Sequence, residues 1–597
     1  MSLKIARRGL TALCLIFFMT ACQSKPKPLS EWESYKKDFF VDLWKTFPGW
    51  AASQGLVEYA DQFKIPDDNY RTERMAFYQK YQTRLDGISK TTLNTLDGMD
   101  YELLQNYLKS AVWDETVFKS TEWDPSQYNM GDSIGSILES AKLKEEEKIN
   151  LLSIRLLLAP RYYEAAFANI KTPTREHTEH AIQQNRGLIT FLEGDVKTRI
   201  DKSPLASDEK ARALKNLGTA VQAVRDYIKN LTDLKAQLEK SKGFRSFRIG
   251  KALYAQKFQF DLQSRYTAEE MYLKAVKEKQ DLHKEMRTRA RELWPKYFGK
   301  TPQPASATVL IRTVLDRIAR DHVEPSQFVA TVEKMLPRLS QFIVEKNLLT
   351  LDPTRPLKVR ATPAYSGGFA SASVDAPGPF DTARETFYNV TPLDGLPPAK
   401  QQSFLREYNN YTLQILNIHE ALPGHYVQLI YNTHSPSLVK AIFGNNALVE
   451  GWAVYGERMM MEEGYGDNSP ELWMMYDKWR LREVCNVILD YSLHSLNMSK
   501  ESVTRLLKNE AFQEDSQIEE KWNRATYSQV QLASYFTGFS EIYDLRAEMK
   551  KVLGGQFNLK HFNESFLSYG SSPIKFIRED MMRAPGVKAG PMKEAKP

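Results

Sequence analysis

His419 and Glu420, followed by Pro423, Gly424 and His425, form the densest chemical string in this sequence. Imidazole nitrogens and carboxylate oxygens are the donors that hold zinc and place a base beside the water it activates. In a regular zinc-binding helix the two histidines lie one turn apart, with the glutamate next to the first. Here the second histidine follows the first by six residues, a rotation of ~600° that leaves the rings about 120° apart on an unbroken helix. Pro423 removes a backbone donor and clashes with the carbonyl four residues back, that of His419. Gly424 then admits an unusual backbone turn. A break at this point would bring His425 back to His419.

A second string supplies carboxylates. Glu450 and Glu457 are seven residues apart in a segment that reads as a helix over 446–458, hence on one face. Glu450 follows His425 by 25 residues, room for a loop and an antiparallel return. Two imidazoles and Glu450 would leave a fourth coordination position open for water. Glu457 would orient a ligating histidine. A further helix, capped by Ser469 with Pro470 at its first position, carries Asn486, Asp490 and His494 on one face. There His494 is a candidate donor to a transition-state oxyanion, with Asp490 orienting it. His177 and His180 also have helical spacing but no accompanying carboxylates, and read as surface residues.

These side chains need a large frame, and helical periodicity supplies most of it. Leu214, Leu217, Val221, Val224, Ile228 and Leu231 recur at three- and four-residue steps. Thr267, followed three residues later by Glu270, predicts a capped helix over 267–296. Residues 351–398 differ, being rich in Pro, Gly, Ser and Thr, with strand-like pieces at 357–359 and 386–390. From Pro398 an apolar face through Phe404, Tyr408, Tyr411, Ile415 and Ile418 predicts one long helix leading to His419. The expected architecture is therefore mainly α: a large helical body with a small β-sheet just before the metal-binding helix.

The 597 residues are 42% hydrophobic, enough for substantial cores, and a net charge of +7 over that length gives no nucleic-acid signature. Three cysteines, Cys14, Cys22 and Cys485, exclude a disulfide scaffold and a cysteine-rich zinc module. Lys4, Arg7 and Arg8 precede an apolar run from Leu10 to Met19, too short to span a bilayer and suited to an export signal. The run ends in Met19-Thr20-Ala21-Cys22, which resembles a bacterial lipobox, so Cys22 is the expected lipidation site. The expected organisation is a signal over 1–21, a tether over 22–30, one domain over 31–585 and a polar tail over 586–597. Within the domain, an N-terminal helical part ends near 245 and a catalytic part follows. Location at the outer membrane, facing the periplasm, follows from the anchor.

His-Glu-x-x-Pro-Gly-His-x-x-Gln at 419–428, followed by Glu-Gly-Trp-Ala-x-Tyr-x-Glu at 450–457, resembles the bacterial family named domain of unknown function 885. Many of its members are lipoproteins and resemble zinc metallopeptidases. Weaker similarity runs from Phe47-Pro48 through Arg248 to Tyr254 and Phe387 to Val390, then Gln531 to Gly538 and Gly570 to Pro573, roughly residues 31–585 in all. The resemblance implies a helical body with a deep cleft, akin to carboxypeptidase Taq and angiotensin-converting enzyme. It implies His419, His425 and Glu450 as ligands of one zinc ion and Glu420 as general base, with Tyr535 hydrogen-bonding the tetrahedral intermediate. Two departures bear on specificity: Glu483 and Asn486 stand where arginines are common, and Gln529-Val530-Gln531 replaces Pro-Gly-Gln.

The leading expectation is zinc-dependent peptide hydrolysis. Phe387, Tyr388 and Asn389 would bind the peptide by strand addition just before the metal helix. Two alternatives stay open: a metal-dependent amidase acting on a cell-wall fragment or metabolite, and a lipid-anchored binding protein with a structural metal. Substrate, cleavage mode and oligomeric state are not specified by the sequence.

Overall fold

The computed structural model describes residues 29–362, 372–381, 385–433, 435 and 437–583. The export signal, Cys22 and the 586–597 tail lie outside the described residues. The chain is mainly helical with one small sheet, and no described helix is long and apolar enough to cross a membrane.

The N-terminal part includes three helices that pack together, α1 (Glu145–Asn169), α2 (Arg175–Phe191) and α3 (Ser207–Ser241). Leu217, Val221, Val224 and Leu231 of α3 are buried against Leu152 and Leu156 of α1, as the apolar periodicity predicts. A second cluster joins Trp32, Phe39, Trp44 and Tyr81 to Val439 and Phe443. The N-terminal helices thus share a core with the segment between the metal-site elements. Helix α4 (Ala268–Phe298) starts in a reciprocal box, the Glu270 amide donating to Thr267 Oγ1 and the Thr267 amide to Glu270.

His177 and His180 are not surface residues. Both are buried, because their face of α2 packs on α9 (Asp515–Tyr527), about 350 residues away in sequence. His177 Nε2 meets the Tyr527 carbonyl at 3.1 Å, and the His180 ring stacks on that of Tyr527 at 4.2 Å. A tertiary partner so distant leaves no trace in local spacing.

Three strands, β1 (Leu357–Ala361), β2 (Ala372–Asp375) and β3 (Thr386–Val390), form a sheet of order β1-β3-β2. β3 pairs in parallel with β1 and antiparallel with β2. The expected strand addition at Phe387–Asn389 is therefore corrected: β3 is central, and its backbone groups are taken on both sides. Its side chains are also engaged. The Arg360 guanidinium covers the Phe387 ring at 3.9 Å and donates to Asn389 Oδ1, while the Tyr388 hydroxyl donates to Asn417.

The single long helix expected from Pro398 is two helices, 398–407 and α5 (Thr412–Glu420). Asn409 divides them, its side-chain oxygen accepting from the Tyr411 and Thr412 amides. An asparagine offering its own acceptor competes with helix continuation.

Candidate metal centre

Helix α5 stops at Glu420, and Ala421 leaves the helical region (φ −106°, ψ −85°). The Leu422–Pro423 peptide is cis. The Gly424 amide returns to the Ile418 carbonyl at 3.0 Å. A Cβ on Gly424 would lie 1.8 Å from the His419 carbonyl oxygen, so only glycine fits this return. Helix α6 (His425–Thr433) starts at once, and the His419 and His425 rings meet edge-on with centroids 4.8 Å apart.

The carboxylates come from α7 (Asn446–Glu462). Trp452 Nε1 donates to the Pro423 carbonyl at 2.8 Å, tying this helix to the break. Glu450 Oε2 then lies 3.7 Å from His419 Nε2 and 3.4 Å from His425 Nε2. This oxygen is buried and has no hydrogen-bond partner among the described residues. One turn pair further along, Glu457 Oε1 accepts from His419 Nδ1 at 2.6 Å and from Trp479 Nε1 at 3.0 Å. That bond commits Nδ1 and turns the Nε2 lone pair toward Glu450. Burial opposes ionisation of Glu450, yet the two imidazoles outweigh it and hold its carboxyl well below the usual range.

This donor set fits a zinc ion. Two neutral-capable imidazoles and one orphaned carboxylate oxygen converge, and the side chains of His425 and Glu450 keep 14% and 19% of their surface open. Glu420 forms no hydrogen bond or ion pair with the described residues. Burial raises its carboxyl, Glu450 and Glu457 add to that, and the histidines oppose it.

Tyr535 opens helix α10 (Ser534–Leu553). Its ring stacks beside His419 at 6.2 Å. α10 approaches α7 through Gly451 and Gly538, where a Cβ on Gly538 would sit 1.7 Å from the Ala447 carbonyl oxygen. The Tyr535 hydroxyl accepts from Arg524 at 2.8 Å. Arg524 and Trp479 had no signal in sequence spacing and reach the site only through packing; Gln531, which opens the weaker 531–538 similarity, accepts from Arg524 at 2.9 Å.

His494 and Asp490 take other places than those expected. Both lie on α8 (Pro470–Ser495) and are fully buried. Burial lowers the imidazole to about 4, so the ring is neutral. Nε2 lies 2.9 Å from the Ala525 carbonyl, which can only accept, so the one N–H is spent there. No donor remains for an oxyanion. Asp490 accepts from the Tyr254 hydroxyl and stands 3.7 Å from His494, too far to orient it by a hydrogen bond.

The two departures also have structural expression. Glu483, on α8, faces Glu457, and its carboxyl is pushed well up by burial first and Glu457 second; Arg480 holds it at 2.7 Å. Val530 has φ +73°, a conformation that suits the glycine of the related pattern far better than a β-branched residue.

A sequence profile described as Bacterial protein of unknown function (DUF885) matches residues 48–581, and the chain belongs to that family. Two solved structures, each described as a "putative lipoprotein", share the fold. That from Shewanella oneidensis, of unknown function, is 45% identical with a TM-score of 0.84, covering 93% of this chain and 100% of its own. That from Colwellia psychrerythraea is 16% identical with a TM-score of 0.77, covering 93% and 99%, a likeness of fold alone. No curated protein matches.

Proposed function

We propose that this member of the family is an exported, lipid-anchored zinc peptidase. The observation that carries the reading is Glu450 Oε2, a buried oxygen without a hydrogen-bond partner among the described residues, facing Nε2 of both His419 and His425, with the His419 ring fixed through Nδ1 by Glu457. Zinc held by His419, His425 and Glu450 would supply Lewis acidity to the scissile carbonyl. Glu420 takes the proton of the attacking water and returns it to the departing amine. The Tyr535 hydroxyl, fixed by Arg524, donates to the developing oxyanion in the role first expected of His494. Tyr388 braces α5 through Asn417, two residues before His419, and so positions the site instead of pairing with a peptide. Attachment through Cys22 at the periplasmic face of the outer membrane is supported by the lipobox-like Met19–Cys22 run and by the naming of the relatives as lipoproteins.

The test is metal analysis of the purified protein followed by cleavage of a peptide library by wild type and Glu420→Gln. About one zinc per chain and a loss of 10²-fold or more in the variant are expected. Protein without metal affinity, or a variant that cleaves normally, would overturn the reading.

A further inference from the structure

Helix α8 carries three basic residues near the metal centre, Lys478, Arg480 and Arg482, and they are treated differently. Lys478 is paired with Glu407 at 2.8 Å and Arg480 with Glu483 at 2.7 Å. Arg482 has no ion pair with the described residues; its guanidinium donates to the Tyr408 hydroxyl and lies over the Trp479 ring at 5.0 Å. On α9, Arg524 likewise donates only to neutral oxygens, those of Gln531 and Tyr535. Lys521, one turn before it and 4% exposed, makes no hydrogen bond and no ion pair with the described residues. Burial, then Arg482 and Arg524, drive its ammonium well down, while Glu407 and Glu520 act from too far away to pair. Glu407 is already held by Lys478 and by the Glu514 amide.

These three basic side chains, Lys521 buried and Arg482 and Arg524 half-buried, lie beside the candidate metal centre, which the two arginines approach by short routes. Arg524 stands 5.7 Å from the Tyr535 ring, which is 6.2 Å from His419. Arg482 stands over Trp479, whose ring is 6.3 Å from His419. Either path is spanned by about four extended residues or fewer. Enclosing basic groups away from counter-charges makes their charged forms costly, and the cost is offset when an anion is supplied from outside.

Resting on the peptidase reading, we propose that Arg482, Lys521 and Arg524 form a subsite for a substrate carboxylate. It anchors the peptide within a few residues of the scissile bond. A free C-terminus is one source of that carboxylate and an Asp or Glu side chain is the other. With the first, the protein is an exopeptidase that works from the C-terminal end.

The experiment uses the full chain bearing Glu420→Gln and calorimetric binding of three N-acetylated alanine tetrapeptides: the free acid, the C-terminal amide, and an amide with glutamate as its last residue. The free acid is expected to bind at least about tenfold more tightly than the plain amide, as a charge-assisted contact requires. Lys521→Met should remove that difference and leave the amide unchanged. Arg482→Gln, a less buried position, serves if circular dichroism shows that Lys521→Met has not folded. Tight binding of the glutamate amide supports the subsite and assigns it to a side chain. Equal binding of acid and plain amide, or no binding of either, overturns it. Turnover separates the two readings: peptides cleaved without regard to the acid remove only the subsite, whereas acid-selective binding with no cleavage by wild type removes only the peptidase.

Discussion

His419 hydrogen-bonds one carboxylate and shares a second with His425, whereas His177 and His494 hydrogen-bond backbone carbonyls, with Asp124 and Asp490 at 4.0 and 3.7 Å, and His180 stacks on Tyr527. Burial does not separate the two groups, since His177 and His494 are more deeply enclosed than His425. The difference lies in where the second ring nitrogen points. His177 spends both nitrogens, one with Thr174 Oγ1 at 2.7 Å and one with the Tyr527 carbonyl. His419 gives Nδ1 to Glu457 and keeps Nε2 for Glu450. A histidine pair at regular helical spacing is thus structural here, and the pair at irregular spacing builds the site.

The largest effect should come from Glu450→Gln, which leaves two imidazoles with no anionic ligand. Zinc content should fall below one-tenth of the wild-type stoichiometry and cleavage should be lost, on the order of 10³-fold. His177→Gln should retain full zinc. Equal zinc loss in both variants, read by elemental analysis after dialysis, would erase the distinction between the two groups.

His494 tests the other side of the comparison. The folded state holds it neutral down to about pH 4, whereas an unfolded chain takes up the proton near the ordinary 6.5. The unfolded state therefore binds more protons between those values, and stability is lost as pH falls from 6.5 to about 4. The loss is about 3 kcal/mol. His494→Gln keeps an amide donor for the Ala525 carbonyl but cannot titrate. Urea unfolding at pH 7.5 and pH 4.5 should show the smaller acid loss in the variant. An identical acid loss in both proteins would mean that His494 is not the residue responsible.

What the sequence made readable was local. The Thr267–Glu270 box and the Ser469–Pro470 start are written in adjacent residues, and both form. The break at Pro423 and Gly424 was equally readable, because a missing donor and a missing Cβ act on the nearest turn. The central place of β3 was not, since strand order depends on which partners arrive from elsewhere in the chain. Trp479, Arg524 and Lys521 were silent for the same reason. Their roles follow from how α8 and α9 pack around α5, and no spacing within α9 marks Lys521 as unpaired.

The smallest effect falls on the contact that links the two halves of the argument, Glu457 to His419. Glu457 is fully buried and accepts from both His419 and Trp479, while its Oε2 has no partner. Glu457→Gln keeps the shape but weakens the acceptor, so His419 loses part of its fixed orientation and basicity. Zinc affinity, read by competition with a chromogenic chelator, should fall 10- to 100-fold, roughly 1.4–2.7 kcal/mol, with the stoichiometry at saturation unchanged. Trp479→Phe, which removes one donor to the same oxygen, should move affinity in the same direction by less. If Glu457→Gln binds zinc as tightly as wild type, the carboxylate that sets His419 apart from His177 is only a buried ion partner.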